Sequence, residues 1–411
     1  MLRPTRPSKL DTSVGRVTSV FSGNDRDWVQ HVGNVMFDVE SLPEYAVRCV
    51  RIDRKKGTEQ FRPKADAFGP LSYLAAFGCT LSIIILALSI HYKDGMALLA
   101  VCFLSLLSTL IGIGNYWTLE LPERKVPDKN APPGDVVVRH PKGAFLVVQC
   151  DEDVARQLFF APETIDYWVE NVWRYRYMSL LGTLMLMSGV VALGNATNVL
   201  QTAFAAAYML INAAYWVVAA LPARRHWNLS GFEVKTQEFV LPSTDLPHKS
   251  TATVAPSNDL LDEAGPEKED VAEPAEKKGR WKSTRERWAS EKKEKKIAKK
   301  KADAKKAQDK CKKYKASYNE TFTWALFMAI VATGTGKWAI KNGAVPDTEA
   351  WQQWLHEAEQ KAKEVDPIRA RLERRDKGHF QELFTVPEWH PQAAIGRYMV
   401  EEKKQLMKEF V

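Results

Sequence analysis

Cysteine is scarce in this chain and shows no pairing pattern. The five thiols, Cys49, Cys79, Cys102, Cys150 and Cys311, are odd in number and scattered, which suits neither a disulfide framework nor a zinc site. The eight histidines, among them His31, His91, His140, His226 and His356, also lack metal-ligand spacing, and no Ser or Cys stands in a nucleophile-elbow context. Gly334-Thr335-Gly336-Lys337 ends like a phosphate-binding loop. The earlier glycine of such a loop would fall at Val331 and its Ser/Thr at Trp338, so the motif is rejected. No catalytic, cofactor or metal-binding residue is therefore expected. The first thirty residues hold no apolar core suited to a cleaved secretory signal. Arg3, Arg6 and Lys9 precede the first acid, Asp11, a faint presequence-like pattern against the simpler expectation of a disordered amino terminus.

The most informative absence is of charge. A bilayer core about 30 Å thick demands roughly 20 helical residues without charge, because a polar group there loses its water. Leu71–Ile90 has no charged residue between Asp66 and His91, and Gly95–Leu119 has none between Asp94 and Glu120. Tyr177 to Ala223 is uncharged throughout, too long for one crossing and about right for two, with the break at Gly194, Asn195, Ala196, Thr197 and Asn198. Soluble helices show a polar stripe and these do not. The mean hydropathy of −0.31 averages these runs with a charged half and so conceals them. Pumps and coupled carriers keep an ionisable group inside the membrane, and these spans have none. Their mild polar residues (Thr80, Ser82, Thr109, Thr183, Gln201, Asn212) and small ones (Ala203, Ala206, Ala207, Gly112, Gly114) suit contacts between helices.

Orientation follows from basic flanks. The short turns hold only Lys93, whereas Arg62 and Lys64, Arg124 and Lys125, Arg174 and Arg176, and Arg224 and Arg225 mark the other ends. Both tips are thus expected away from the cytosol, with both termini in it. Asn195-Ala196-Thr197 matches a glycosylation sequon but lies too near the membrane to be modified. Tyr116, Trp117, Trp173, Tyr215 and Trp216 fall at the cytosolic ends, where amphipathic rings favour the headgroup layer. Asn115, Tyr116, Trp117, Leu121, Pro122 and Arg124 are echoed by Asn212, Tyr215, Trp216, Leu221, Pro222 and Arg224. Two readings stay open: a parallel repeat about an axis along the membrane normal, or the common look of any cytosolic helix end.

What is abundant is lysine. The net charge is +8, yet Glu276–Lys315 alone holds 19 Lys/Arg against 6 Asp/Glu, a local excess of 13 that leaves the remainder at −5. A basic run rather than a basic fold makes nucleic acid an unexpected partner. Strong helix formers without an apolar face predict a solvated helix. Lys292, Lys293, Lys295, Lys296, Lys299, Lys300 and Lys301 are its candidate contacts to anionic phospholipid.

The expected organisation is mainly α: a four-helix transmembrane bundle of two hairpins, a small cytosolic β-containing cap and a helical or disordered basic tail. In order, residues 1–67 form a cytosolic region, 68–119 hairpin 1, 120–176 a cytosolic loop, 177–222 hairpin 2 and 223–242 a strand segment. Residues 243–275 form a disordered linker, 276–320 the basic helix and 321–411 a helical region. Val136–Val138 and Phe145–Val148 flank Pro141-Lys142-Gly143 as a β-hairpin; Val47–Ile52 and Phe232–Val240 are further β-prone runs. Asp153–Phe160 and Pro162–Arg174 are predicted as short helices. Thr321–Gly336 is uncharged but too short to span, and reads as a folded or interfacial helix. Trp351, Trp354, Leu355, Ala358 and Ala362 recur at helical spacing, a packing face and a candidate protein-partner surface.

Around Asn212–Phe232 (Tyr215-Trp216, Leu221-Pro222, His226-Trp227, Leu229-Ser230) and Pro132-Pro133-Gly134-Asp135 through Asp151-Glu152-Asp153-Val154, the chain resembles a group of multi-pass membrane proteins of filamentous fungi. The likeness covers roughly residues 45–240 and carries no assigned activity, so it implies a fungal membrane protein and transfers no catalytic residue. These features together favour a non-enzymatic membrane scaffold or adaptor, ahead of a channel or facilitator for an uncharged solute. An enzyme acting on lipid ranks third.

Overall fold

The computed structural model describes residues 6–7, 9–55, 63–120, 133–240, 275–365 and 383–409. The linker expected at 243–275 lies almost wholly outside them, as do Arg62, Arg124 and Lys125. The chain is mainly helical, with four long apolar helices and a sheet region. It opens with β1 (Ser13–Ser19), β2 (Asp25–Val29), α1 (His31–Phe37), β3 (Val47–Arg54) and β4 (Lys64–Ala65), and then enters α2 (Pro70–His91) and α3 (Gly95–Gly114). Between the helix pairs come β5 (Trp117–Glu120), β6 (Val136–Arg139), β7 (Phe145–Gln149), α4 (Glu152–Ala155), a π turn at Arg156–Phe160 and β8 (Thr164–Tyr167). After α5 (Val172–Gly194) and α6 (Asn198–Ala219) follow β9 (Trp227–Asn228), β10 (Phe232–Val240), α7 (Ala275–Tyr314) and α8 (Phe322–Thr333). The remaining elements are α9 (Trp338–Lys341), α10 (Glu349–Val365), β11 (Leu383–Thr385) and α11 (Pro391–Glu409).

Each of the four long helices is long and apolar enough to cross a membrane, and at most 17 % of the most apolar stretch of any of them is buried. So much unburied apolar surface is tolerated by lipid and not by water. Their hydroxyls do not bridge helices as expected. Thr80, Ser82, Ser89, Thr109, Thr183 and Thr202 each donate to the carbonyl four residues back in their own helix, the cheapest way to satisfy a hydroxyl where no water is available. The main helix contacts are α3 with α5, α2 with α6 and α2 with α3. Exchanging the two helix pairs converts the first of these contacts into the second, whereas the third has no such counterpart. Instead of forming a tight hairpin, α5 and α6 meet chiefly through the other pair. Glycine permits the approach at α3 and α5: Gly182 faces Leu107, and Gly189 faces Leu104 and Phe103, a seven-residue spacing that keeps both on one seam. Gly112, one of the expected contact residues, faces open space.

The sheet has seven strands in the order β11-β10-β3-β7-β6-β1-β2, drawn from before, between and after the apolar helices. Its expected pieces are all present. The hairpin turns at Gly143, whose φ of 73° suits glycine, and β3 lies between β10 (antiparallel) and β7 (parallel). Alternation sorts the side chains: Val47, Cys49, Val137, Phe145 and Val147 join one core, and Val50, Ile52, Val136, Val138, Leu146 and Val148 the other. The first face is covered by α8, buried from Ala325 to Thr333, as a helix apolar all round must be. The uncharged 321–336 stretch is therefore an interior helix of the α/β domain.

Three further expectations change. The amino-terminal region carries an edge β-hairpin, β1–β2, held by β6. Pro162–Arg174 is not one helix: Thr164–Tyr167 is a strand paired with Trp117–Glu120, because alternating Ile165 and Tyr167 find a partner there, and α5 starts only at Val172. The tryptophan face of α10 is largely consumed internally, with Trp354 fully buried and its Nε1 donating to the Pro391 carbonyl at 2.8 Å.

Candidate membrane interface and basic arm

The aromatic residues predicted for the headgroup layer divide into two groups. Tyr116, Trp173, Tyr215 and Trp216 are exposed at the sheet-side ends of the helices. Trp117 is turned inward: it sits in β5, 6.2 Å from the Trp227 ring, which in turn lies 5.4 Å from His31. Sequence reading missed Phe68, 82 % exposed just before α2. Its position beside Pro70 and Tyr73 was the available signal.

The base of α5 is clasped by the amino-terminal segment. The Arg6 guanidinium lies 3.4 Å from the Tyr175 ring centroid and 4.7 Å from that of Tyr167, and its Nη1 donates to the Val169 carbonyl at 2.7 Å. Tyr167 Oη donates back to the Pro7 carbonyl at 2.9 Å. Cation–π stacking of this kind stabilises a partly desolvated arginine. Nearby, the buried Glu163 accepts from the His31 and Val32 backbone N–H groups, both at 3.1 Å. Burial raises its pKa, and those two donors oppose the rise.

The opposite helix ends are joined by polar turns. Asp94 caps α3 by accepting from Met96 and Ala97. Gln201 Nε2 reaches the carbonyls of Leu193, Gly194 and Ala196, closing the second turn.

The lysine-rich stretch is helical to Tyr314. Lys292, Lys295, Lys296, Lys299, Lys300 and Lys301 are exposed, and Lys293 lies on the same helix. The helix is rooted in the sheet domain: Cys311 is buried, Tyr314 Oη donates to Asp38 at 3.2 Å, and Ser317 pairs with Val47. Burial pushes the Cys311 thiol up to about 11. Beside this root, burial and the neighbouring Arg224 lower the Arg48 guanidinium pKa.

Among the described residues His91, His140 and His226 lie apart from one another: the first ends α2, the second sits in the β6–β7 turn and the third precedes β9. Among the described residues no group of three His, Cys, Asp or Glu is placed to hold a metal. The Gly334–Lys337 loop does bind an anion, but an internal one: Thr335 Oγ1 and the Gly336 N–H both donate to Glu359 at 2.7 Å. Comparison with known proteins finds no matching family model, no matching curated protein and no matching solved structure, so a functional reading rests on this chain's own residues.

Proposed function

We propose that this chain is a non-enzymatic membrane scaffold that holds a two-faced α/β domain and a basic arm at the cytosolic surface of a bilayer. One observation carries the reading: a single sheet takes β3 from before α2, β6 and β7 from between the helix pairs, and β10 from after α6. A bilayer cannot pass through a hydrogen-bonded sheet, so these segments share one side and the turns at 92–94 and 195–197 share the other. Arg174, Arg176, Arg224 and Arg225 flank the sheet side against Lys93 alone at the turns, which favours the cytosol for the sheet.

Anionic phospholipid is the partner of the arm, at about 1 kcal/mol per lysine near the surface. A protein partner reaches the domain through Trp351, the half-buried outer member of the α10 tryptophan pair. The test uses the full-length protein in vesicles with and without phosphatidylserine, together with a variant carrying glutamine at the seven lysines. Serine-lipid-dependent protection of the arm from protease, absent in the variant, is expected. Equal cleavage in all samples, with nothing co-purifying from native membranes, would overturn the scaffold.

A facilitator for an uncharged solute is the second reading, favoured by the exchange of helix contacts between pairs that a parallel repeat would give. It requires solute flux in reconstituted vesicles. The inward-bonded hydroxyls of the spans leave it the weaker reading.

A further inference from the structure

The scaffold reading leaves one cavity unused, a space of about 420 Å3 between the β1–β2 turn and the helical segment Glu152–Phe160. Both of its walls are built. In the turn, Ser19 N donates to the Asn24 carbonyl at 2.8 Å, Ser22 N to Ser19 Oγ at 3.3 Å, and Gly23 adopts a φ of 69°. Opposite, Gly134 passes so close to α4 that a Cβ on it would stand 2.4 Å from Glu152 Cα, and Pro133 bridges Asp151. From there the helix widens into its π turn, a rare geometry that recurs at functional positions and brings Arg156 and Phe160 onto the cavity.

The lining charges are only partly paired. Asp25 on the rim is held by Arg16 at 2.9 Å. Glu152 and Arg156 stand one helical turn apart, where an ion pair ordinarily forms, yet neither side chain makes one among the described residues, and both line the cavity with Arg26. The register fixes the depth of the site. Ser19 pairs with Val136, Val136 with Val148 and Val148 with Val50, so the turn beyond Ser19 points toward the strand end where Arg54 meets Phe232. That end leads through β4 and β9 into α2 and α6.

We propose that this cavity binds a phosphate group carried beside an ammonium, the headgroup chemistry of a zwitterionic phospholipid. Arg156 and Arg26 hold the phosphate, Glu152 takes the ammonium, and Phe160 covers the intervening carbons. The depth argument rests on the membrane reading above, while the charge complementarity does not.

The experiment uses full-length protein in mild detergent, titrated calorimetrically with soluble glycerophosphoethanolamine and separately with inorganic phosphate. Saturable binding of the first is expected. Arg156→Gln weakens it roughly tenfold or more, and Glu152→Gln weakens it while leaving inorganic phosphate unaffected. A second arm releases the protein from phosphatidylethanolamine nanodiscs into a native mass spectrometer. One retained lipid in the wild type but not in Arg156→Gln assigns the ligand to the bilayer; titration binding without retention assigns the same chemistry to a soluble phosphodiester. No saturable binding of glycerophosphoethanolamine, or binding indifferent to both substitutions, overturns the site. Extraction of the chain by carbonate would sink the membrane reading alone and leave the titration to decide the cavity.

Discussion

The Asp94 carboxylate accepts the backbone N–H of Thr197 at 2.7 Å, tying the turn between α2 and α3 to the turn between α5 and α6. The same side chain caps α3, so one residue orders two chain reversals 103 positions apart. The Thr197 N–H, first among several donors, holds the Asp94 carboxyl below its ordinary value. A depressed acid contributes stability above its unfolded pKa and loses it as pH falls through the folded one.

Asp94→Asn should therefore lower the melting temperature in detergent at neutral pH, and the gap from wild type should close as the pH drops below the ordinary carboxylate range. A gap that persists unchanged into strong acid would remove the ionised carboxylate from the account.

Gly189→Leu should disrupt the α3–α5 seam, since a Cβ already stands 3.1 Å from Leu104. Overpacking costs about 1–3 kcal/mol. Gly112→Leu, facing open space, is the matched control and should be silent. Thermal unfolding of both in the same detergent decides the matter, and equal behaviour would count against the seam.

Glu359→Ala would leave the Gly336 N–H and the half-buried Thr335 hydroxyl without their shared acceptor, at a cost of about 1 kcal/mol, the lower end of the range for lost partners, because water can reach the site. Hydrogen exchange at Gly336 should accelerate, and Glu359→Gln should restore most of the protection because an amide oxygen still accepts.

Cys311 should resist a maleimide at pH 8, since the thiolate is the nucleophile and burial places this thiol at about 11. The raised value means that the docked state is favoured below the ordinary thiol pKa and loses this contribution as pH climbs toward 11. Tyr314→Ala, which removes the bond to Asp38, should speed labelling. Wild-type labelling at the rate of the urea-unfolded chain would mean that the basic helix is not rooted there.

The apolar spans were readable because a charge-free run of that length has few other uses. The helix expected over Leu71–Ile90 runs Pro70–His91, and the break expected within 194–198 falls at Asn195–Thr197. Alternation and the proline-glycine turn likewise marked the 136–149 hairpin. What escaped was long-range. Ser13–Ser19 is too polar to announce a strand until β6 lies beside it. Nothing local at Thr164–Tyr167 says that Trp117–Glu120 will return to pair with it. Gly182 and Gly189 looked like ordinary span residues until α3 supplied the leucines that face them. The cavity joins residues 19–26 to 152–160, and no sequence spacing encodes that distance.

The outermost strand on one side of the sheet, Leu383–Thr385, pairs in parallel with Glu238–Val240 and stacks Phe384 5.5 Å from Phe239. During synthesis, all four apolar helices leave the ribosome well before this strand exists, so the growing chain carries a raw, unpaired rim while those helices are already complete. Completion of the domain is thus postponed until long after those helices have been made, and a chain stopped short of residue 383 would offer that rim to any passing extended peptide.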